Sequence, residues 1–247
     1  MGYIMLKFID ELDPKEGNIW GNKAIGLSIL YKHKFKIPYA FVISHHCNLE
    51  TAKTDILKAC DNIGGNLFAI RSSANVEDST NHSFAGMFKT FLNVKRNEIL
   101  KYIQKLMSTR DLNKIKEYCK KKGINKSDIK ISVIVQKMIT PDFSGVCFSM
   151  NPINNTQEII VEITKKHING VVSGKTTPNR YIVSYKGSVK EKSEKIRTEK
   201  MKDKIHLIAK DAIRIQNIFS HPMDIEFVIK QNEIYYLQTR PITTVKI

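Results

Sequence analysis

Residues 222–241, with the sequence PMDIEFVIKQNEIYYLQTRP, predict a β-hairpin in which each strand has a polar and an apolar face. Side chains two residues apart lie on the same face of a strand. The first strand alternates Asp224 and Glu226 with Ile and Phe, and the second alternates Gln238 and Arg240 with Tyr, Leu and Thr. The pairing register decides whether the two polar sets meet.

The length of the turn sets that register. A two-residue turn at 231–232 would leave Glu226 and Gln238 on opposite faces, whereas a three-residue loop at 230–232 shifts the pairing by one residue and brings them together. Asn232 suits the last position of the longer loop because Asn tolerates the left-handed conformation. We therefore expect the three-residue loop.

The resulting face would carry Asp224, Glu226, Gln238 and Arg240. Carboxylate and amide oxygens are hard ligands for Mg²⁺, and a guanidinium beside them suits a phosphate. The same pattern is also compatible with a surface hairpin whose polar face is only solvated. The hairpin sequence leaves both alternatives open.

Length and composition indicate an ordinary globular protein. The chain has 247 residues, of which 42% are hydrophobic and 26% are charged. It has no run of about 18 apolar residues and no signal-peptide pattern at its start, so we expect no membrane association. The four cysteines form no CxxC pair, which predicts free thiols in a reducing, cytoplasmic location.

The formal charge of +16 needs an explanation. Much of it lies within residues 89–137 and 165–204, where nucleic-acid binding is one interpretation. A stacking platform would require aromatic residues interleaved with these lysines, and we expect none. Solvated faces, together with an acidic partner, are therefore favoured over nucleic acid.

Two other stretches suggest anion binding. Residues 21–26, GNKAIG, open an amphipathic helix with Lys23 in its first turn, where amide hydrogens and the helix dipole favour an anion. The dipole opposes a lysine there, so Lys23 either faces a bound anion or is simply exposed. A strand at 68–70 delivers Arg71 and two serines, a combination that resembles a phosphate cradle.

The remaining pattern predicts a mixed α+β chain with a charged loop at 187–200. Helices are expected at 48–62, 95–122 and 201–219. Strands are expected at 39–44, 68–70, 88–94, 131–138, 144–149, 158–163 and 181–185. The strand at 131–138 is β-branched and apolar, so it should be central.

Taken in order, these motifs resemble the nucleotide-binding domain of the pyruvate phosphate dikinase, phosphoenolpyruvate synthase and rifampicin phosphotransferase family. The matching segments are GNKAIGL, IPYAFVIS, IRSSANVEDSTNHSFAGMFKTFLNV, ISVIVQKMI, SGVCFSMNP, VVSGKTTPNRY, and PMDIEFVI with LQTRP. They span nearly the whole chain. The resemblance implies an α+β, ATP-grasp-type, two-lobed nucleotide-binding fold, formed by a single domain at 1–247 with lobes of roughly 1–136 and 137–247.

The resemblance also implies ATP as a ligand. Lys23 and Arg71 would hold its phosphates. Gly86 and Thr90 would contact the nucleotide from a closing loop, and Gln136 would lie near the adenine.

The same resemblance implies Mg²⁺, held by Glu226 and Gln238. Arg240 would contact the phosphates, and Asp224 would support this group. The expected catalytic residues are Lys23, Arg71, Asp224 and Arg240.

This sequence departs from the family pattern in two ways. The family usually has a Gly-Leu-Gly-Glu loop before VVSG, whereas residues 166–169 are Lys-His-Ile-Asn, so a carboxylate is lost. Family enzymes also continue into a swivelling phosphohistidine domain and an acceptor-binding domain. We expect neither in this chain, because none of its seven histidines stands in a Thr/Ser/Gly-rich loop.

The resemblance therefore implies an ATP-dependent, dikinase-type phosphotransferase component. It would pass phosphate from Mg·ATP to a histidine on a separate phosphohistidine-domain protein, with AMP formed. The alternative is an ATP-binding regulatory or degenerate module without transfer activity, which the altered loop at 166–169 favours.

Overall fold

The computed structural model describes residues 5–76, 89–111, 113–123, 125–165, 178–192 and 199–243. These residues fall into two compact units. The first comprises the described parts of Met1–Lys34 and Pro38–Met138, and the second those of Phe35–Ile37 and Ile139–Ile247. Each unit contains an antiparallel sheet and helices. This architecture confirms the expected α+β class.

The first unit contains the strands β1 (Leu6–Phe8), β2 (Ala40–Ile43), β3 (Leu67–Ala74), β4 (Thr90–Lys95) and β5 (Ile131–Lys137). Its helices are α1 (Gly17–Trp20), α2 (Asn22–Lys32), α3 (Leu49–Ile63), α4 (Ile99–Met107) and α5 (Asn113–Lys122). The strand order is β1-β2-β5-β3-β4. The central position predicted for the strand at 131–138 is therefore confirmed.

One face of this sheet carries the hydrophobic core of the first unit. Phe68, Ile70 and Val133 alternate along their strands with residues of the other face, and they cluster with Ile56 of α3 and Ile103 of α4. All five side chains are fully buried. The opposite face of the sheet is consequently available for polar residues.

Local signals set the ends of α3. The Asn48 side chain accepts a hydrogen bond from the Glu50 N–H at 3.0 Å, which satisfies a donor that the first helical turn cannot pair internally. Gly64 follows the helix with φ 66°, in the left-handed region that commonly ends helices. The predicted helix at 48–62 is confirmed.

The second unit contains β6 (Phe143–Phe148), β7 (Glu158–Lys165), β8 (Asn179–Ser184), β9 (Val189–Lys192), β10 (Met223–Lys230) and β11 (Glu233–Pro241). Its long helix is α6 (Glu199–Phe219). The strand order is β11-β10-β6-β7-β8-β9. The interpretation of 187–200 as a loop was wrong at β9, where a short charged strand pairs with β8 at the sheet edge.

Among the helices within the described ranges, none combines the length and the apolar character that a bilayer-spanning segment requires.

Candidate functional site

The first unit presents a polar sheet face opposite its core. Arg71 on β3 lies directly across from Thr90 on β4. Gln136 on β5 lies between Ala40 on β2 and Ala69 on β3. Because Ala69 and Arg71 are two residues apart, these side chains share one face. The structure thus brings Arg71, Thr90 and Gln136 together on that face.

Gln136 has an unusual environment for an amide. Its side chain is only 1% exposed, and no residue in the described ranges hydrogen-bonds its Nε2. A buried donor without a partner costs about 1–3 kcal/mol, which a ligand acceptor would offset. Its neighbours on the adjacent strands, Ala40 and Ala69, have small side chains.

The start of α2 packs against the same strand that carries Arg71. The Ala24 N–H donates to Ser73 Oγ at 3.1 Å. Lys23 in the first turn is 9% exposed, and Arg71 is 5% exposed. Ser73 and Arg71 share a face about 7 Å apart along β3. The alternative that Lys23 is simply an exposed lysine is therefore wrong, and both cations lie near the sheet face.

Gly21 permits this close packing of α2 on β3. Its φ is +80°, and a Cβ there would lie 2.2 Å from the Ser73 carbonyl oxygen. We expect Gly21→Ala to lower the free energy of unfolding by about 3 kcal/mol, because the backbone strain adds to an unavoidable contact with β3. Urea titration followed by circular dichroism measures the loss.

Gly123→Ala is the matched control. Gly123 also has a positive φ, +66°, but a Cβ there would meet nothing within 4 Å. Gly123→Ala should therefore lower the free energy of unfolding by only about 1 kcal/mol, which is the contribution of the backbone conformation alone. Equal losses in the two variants would contradict the role assigned to the Gly21–Ser73 approach.

The hairpin of the second unit has the predicted position but a different turn. Lys230 pairs with Glu233, so the loop contains two residues, and the expected three-residue loop is wrong. Gln231 and Asn232 have φ of 48° and 66°. A two-residue turn with both central residues in the left-handed region matches the twist of antiparallel strands.

A bulge restores the register that the short turn would have lost. Phe227 pairs with Tyr236, but the next pair is Glu226 with Gln238, which leaves Leu237 as an extra residue on β11. A β-bulge of this kind inserts one residue into one strand of a pair. Glu226 and Gln238 therefore lie opposite each other, as predicted, although for another reason.

Asp224 and Arg240 form the neighbouring pair on this face. Asp224 Oδ2 accepts from Arg240 Nε at 2.8 Å and lies 2.7 Å from Arg240 Nη2. The Asp224 side chain is 10% exposed and that of Arg240 39%. The buried carboxylate thus orients a guanidinium that still reaches the surface.

The donor set of this face fits Mg²⁺. Glu226 and Gln238 offer one carboxylate and one amide oxygen from directly opposite positions. Mg²⁺ is commonly held by one or two carboxylates plus substrate phosphates, without an all-protein cage. No cluster of three or more His, Cys, Asp or Glu side chains that could hold a metal occurs in the part of the chain that the structure describes.

Behind this face, on the side packed with α6, lies a hydrogen bond that the sequence reasoning missed. The Tyr236 hydroxyl donates to Asp211 Oδ2 at 2.6 Å. Burial, reinforced by the Asp211 carboxylate, raises the pKa of Tyr236 well above its usual value, so the hydroxyl stays a donor. The available signal was Asp211 itself, a carboxylate among the buried apolar residues of α6.

Cys147 lies on the same buried side, paired with Ile225. Its side chain is fully buried. Burial raises the pKa of the thiol far above its usual range, and the Asp224 and Asp211 carboxylates add to the shift. Cys147 is therefore a neutral core residue and no candidate nucleophile.

Aromatic residues do lie among the lysines of the first unit, contrary to the expectation from sequence. Lys105 Nζ lies 5.2 Å from the centre of the Phe91 ring, and Lys101 Nζ lies 5.9 Å from that of Tyr102. Both rings are partly buried against the core. They do not form the exposed platform that base stacking needs.

Several expected features lie outside the described residues. These are Gly86 with the loop at 83–87, and the altered loop at 166–169. The other expected site residues fall into two groups. Lys23, Arg71, Thr90 and Gln136 belong to the first unit, and Asp224, Glu226, Gln238 and Arg240 to the second.

Comparisons with known proteins identify relatives of this chain. The family model described as pyruvate phosphate dikinase, AMP/ATP-binding domain, matches residues 48–246. A "probable phosphoenolpyruvate synthase" of Methanocaldococcus jannaschii is 28% identical over 98% of this chain and 27% of its own length. The rifampicin phosphotransferase of Bacillus cereus is 29% identical over 72% of this chain and 23% of its own length. The chain thus spans only about a quarter of either relative.

Among solved structures, an L-amino acid ligase from Bacillus licheniformis aligns with 92% of this chain and 43% of its own length. Its TM-score is 0.49 at 11% sequence identity.

Proposed function

The chain belongs to the family of the pyruvate phosphate dikinase AMP/ATP-binding domain, and from this premise we propose that it is one nucleotide-binding domain of a dikinase-type phosphotransferase. It binds Mg·ATP and transfers the terminal pyrophosphoryl group to a histidine on a separate phosphohistidine-domain protein. The histidine nitrogen bonds to the β-phosphorus as the bond from that phosphorus to the α–β bridging oxygen breaks, so AMP leaves. Loss of inorganic phosphate to water then leaves one phosphate on the histidine. The relatives are named as phosphoenolpyruvate synthases and phosphotransferases, which supports transfer chemistry. A cytoplasmic location is part of the same proposal.

The observation that carries the proposal is the polar face of the β10–β11 hairpin. Glu226 and Gln238 are the proposed metal ligands, and Arg240 is the proposed phosphate ligand, held in place by Asp224. When bound, Mg²⁺ neutralises charge on the phosphate oxygens and orients them. A planar guanidinium fixed by a carboxylate contributes directional hydrogen bonds that a free side chain would not hold.

The polar residues of the first unit also have the chemistry to bind a nucleotide. Lys23 and Arg71 are buried cations, and a phosphate is a strong acceptor for both. The Gln136 amide is the proposed partner of the adenine edge, because its buried Nε2 needs an acceptor. Thr90, across from Arg71, and Gly86 complete the proposed set.

Transfer of phosphate depends mainly on positioning and charge neutralisation, and it also needs an in-line nucleophile. Three of the described histidines make other contacts. His45 and His46 stack on each other with ring centres 3.8 Å apart, and His221 Nδ1 lies 3.0 Å from the Pro222 carbonyl oxygen. The proposal assigns the acceptor role to a histidine of another protein.

Glu226→Ala tests the metal site. We expect the gain in ATP affinity on adding Mg²⁺ to fall about tenfold, because the ion loses its charged ligand, while metal-free ATP binding stays unchanged. Isothermal titration of ATP with and without Mg²⁺ measures both quantities.

Glu162→Ala is the matched control, since Glu162 lies in the same register row as Glu226, two strands away, and pairs with Arg180 at 2.8 Å. It should leave intact the gain in ATP affinity on adding Mg²⁺. Equal effects of the two substitutions would show that general surface charge, and not a ligand at 226, explains the gain.

The alternative function, a regulatory or degenerate module, rests on the Lys-His-Ile-Asn sequence at 166–169. Such a module would bind Mg·ATP with the same dependence on Glu226 but would form no AMP with any histidine protein. Binding and turnover measured on one preparation therefore distinguish the two candidates.

A further inference from the structure

We propose that the groove between α6 and the β8–β9 turn docks an acidic peptide segment of a partner protein, which inserts one large apolar side chain into it. The groove encloses about 260 Å³ and lies wholly within the second unit. None of its described lining residues is assigned above to the nucleotide or to the metal. The docking surface is therefore independent of the proposed function.

The floor of the groove is apolar. It is formed by Ile159 of β7, Val183 of β8, and Ala209 and Ile213 of α6. Its volume of about 260 Å³ lies below the roughly 300–1,000 Å³ of pockets that enclose drug-sized ligands and cofactors. The groove has room for one large apolar side chain, whose removal from water favours binding.

The rim of the groove is basic. Lys186 lies on the turn, and His206 and Lys210 lie one helical turn apart on one face of α6. All three side chains are exposed, and the described part of the chain offers none of them a hydrogen-bond or ion-pair partner. Asp203 lies one turn before His206 but does not line the groove. Carboxylates of a partner are therefore the groups that complement this rim.

Hydrogen bonds fix both walls of the groove. In the turn, the Gly187 N–H donates to the Ser184 carbonyl oxygen at 2.8 Å, and the Ser188 N–H donates to Ser184 Oγ at 3.0 Å. The Tyr185 hydroxyl donates to Gln216 Oε1 of α6 at 3.2 Å, which ties the turn to the helix. A preformed groove loses less conformational entropy when a partner binds.

The shape of the groove favours a peptide over a nucleic acid or a membrane. Base stacking needs an exposed aromatic ring, whereas Tyr185, the aromatic residue of the described lining, is half-buried. Membrane insertion needs an apolar helix face that protrudes, whereas Ile205, Ile208 and Ile215 of α6 are fully buried. A concave apolar surface with a basic rim instead receives a side chain of an acidic segment.

The groove opens on the side of the sheet away from the proposed metal ligands. Glu162 shares the face of Glu226, because the two residues lie in one row across β7, β6 and β10. Ile159 is three residues from Glu162 on the same strand, so its side chain lies on the opposite face. A docked segment would leave the nucleotide face free.

The probe is the acidic peptide Gly-Glu-Ser-Leu-Ser-Glu-Gly with blocked termini. Side chains two residues apart lie on the same side of an extended peptide, so both carboxylates reach the rim when the leucine enters the groove. Titration of the peptide into the isotope-labelled chain, followed by NMR, measures affinity and position together. We expect a Kd of about 0.1 mM, with shifts in the amide signals of residues 184–187 and 206–213.

Lys210→Glu is expected to weaken peptide binding at least about tenfold, because an attraction becomes a repulsion. Lys202→Glu is the matched control. It makes the same change of net charge on the same helix, and Lys202 pairs with Glu199 at 2.8 Å outside the groove. Its peptide affinity should stay within about twofold of that of the unmodified chain.

A second peptide, with alanine in place of leucine, tests the apolar floor. It should bind about tenfold more weakly than the leucine peptide, because less apolar surface is removed from water. This comparison needs no change in the chain, so it decides the role of the floor even if a variant does not fold.

Four results would overturn the proposal. The leucine peptide does not bind in the millimolar range; Lys202→Glu weakens it as much as Lys210→Glu, which would indicate general charge attraction; or the alanine peptide binds equally well. The fourth is tighter binding of a short single-stranded oligonucleotide that shifts the same signals, which would assign the groove to nucleic acid. None of these measurements involves ATP, so failure of the proposed function would leave them unaffected.

Discussion

Replacing Arg71 with methionine is expected to weaken ATP binding about a hundredfold, because truncating one member of a buried, charged hydrogen-bonding pair costs roughly 2–5 kcal/mol. Arg71 is 5% exposed, so a phosphate bound there would be largely removed from water. Its face also carries Thr90 and Gln136, which limits how a water molecule could replace the guanidinium. Calorimetric titration of ATP measures the change.

Arg96→Met is the control for loss of an arginine in the same unit. Arg96 pairs with Asp61 at 2.8 Å, and its side chain is 46% exposed. This substitution should leave ATP affinity within about twofold of that of the unmodified chain, because exposed ion pairs contribute little to stability. Lys23→Ala is measured in parallel. Unchanged affinity in both Arg71→Met and Lys23→Ala would contradict the assignment of the phosphate ligands.

The sequence alone predicted the position and the polar face of the hairpin, because period-two alternation is visible over a short window. It could not predict how that face forms. Asn232 is equally suited to a two-residue turn with two left-handed positions, and that turn is what occurs. The compensating bulge at Leu237 leaves no local signal, since Leu fits both a regular and a bulged position.

Burial was the second quantity that the sequence left open. A lysine in the first turn of α2 has the same local sequence whether it is exposed or covered. Lys23 is buried on a helix whose start packs on β3 through the close approach of Gly21 to Ser73, residues 52 positions apart in the chain. Similarly, Tyr236 and Asp211 are separated by 25 positions. The local sequence around either residue does not predict this hydrogen bond, because the two side chains meet only when α6 packs on the sheet.

The chain alone is expected to release AMP from Mg·ATP at least about 100-fold more slowly than it does with a phosphohistidine-domain protein, because a positioned nucleophile contributes much of the rate of group transfer. The proposed phosphate ligands, Lys23, Arg71 and Arg240, would neutralise the phosphates together with Mg²⁺, but they would supply no in-line acceptor. A separately produced phosphohistidine-domain protein is the first probe. Chromatographic separation of ATP, ADP and AMP gives the rates.

The same histidine domain with its histidine replaced by alanine separates chemistry from docking. If the histidine accepts the phosphate, the alanine variant should leave AMP release at the rate of the chain alone, even though it presents the same surface. An Arg71→Met chain should then respond to neither domain, since the acceptor cannot compensate for lost phosphate ligands.

Rapid AMP release without any added protein would show that the acceptor is already present in this chain or is water. ADP as the sole product would contradict the dikinase-type reaction, because that reaction must break the bond that leaves AMP behind.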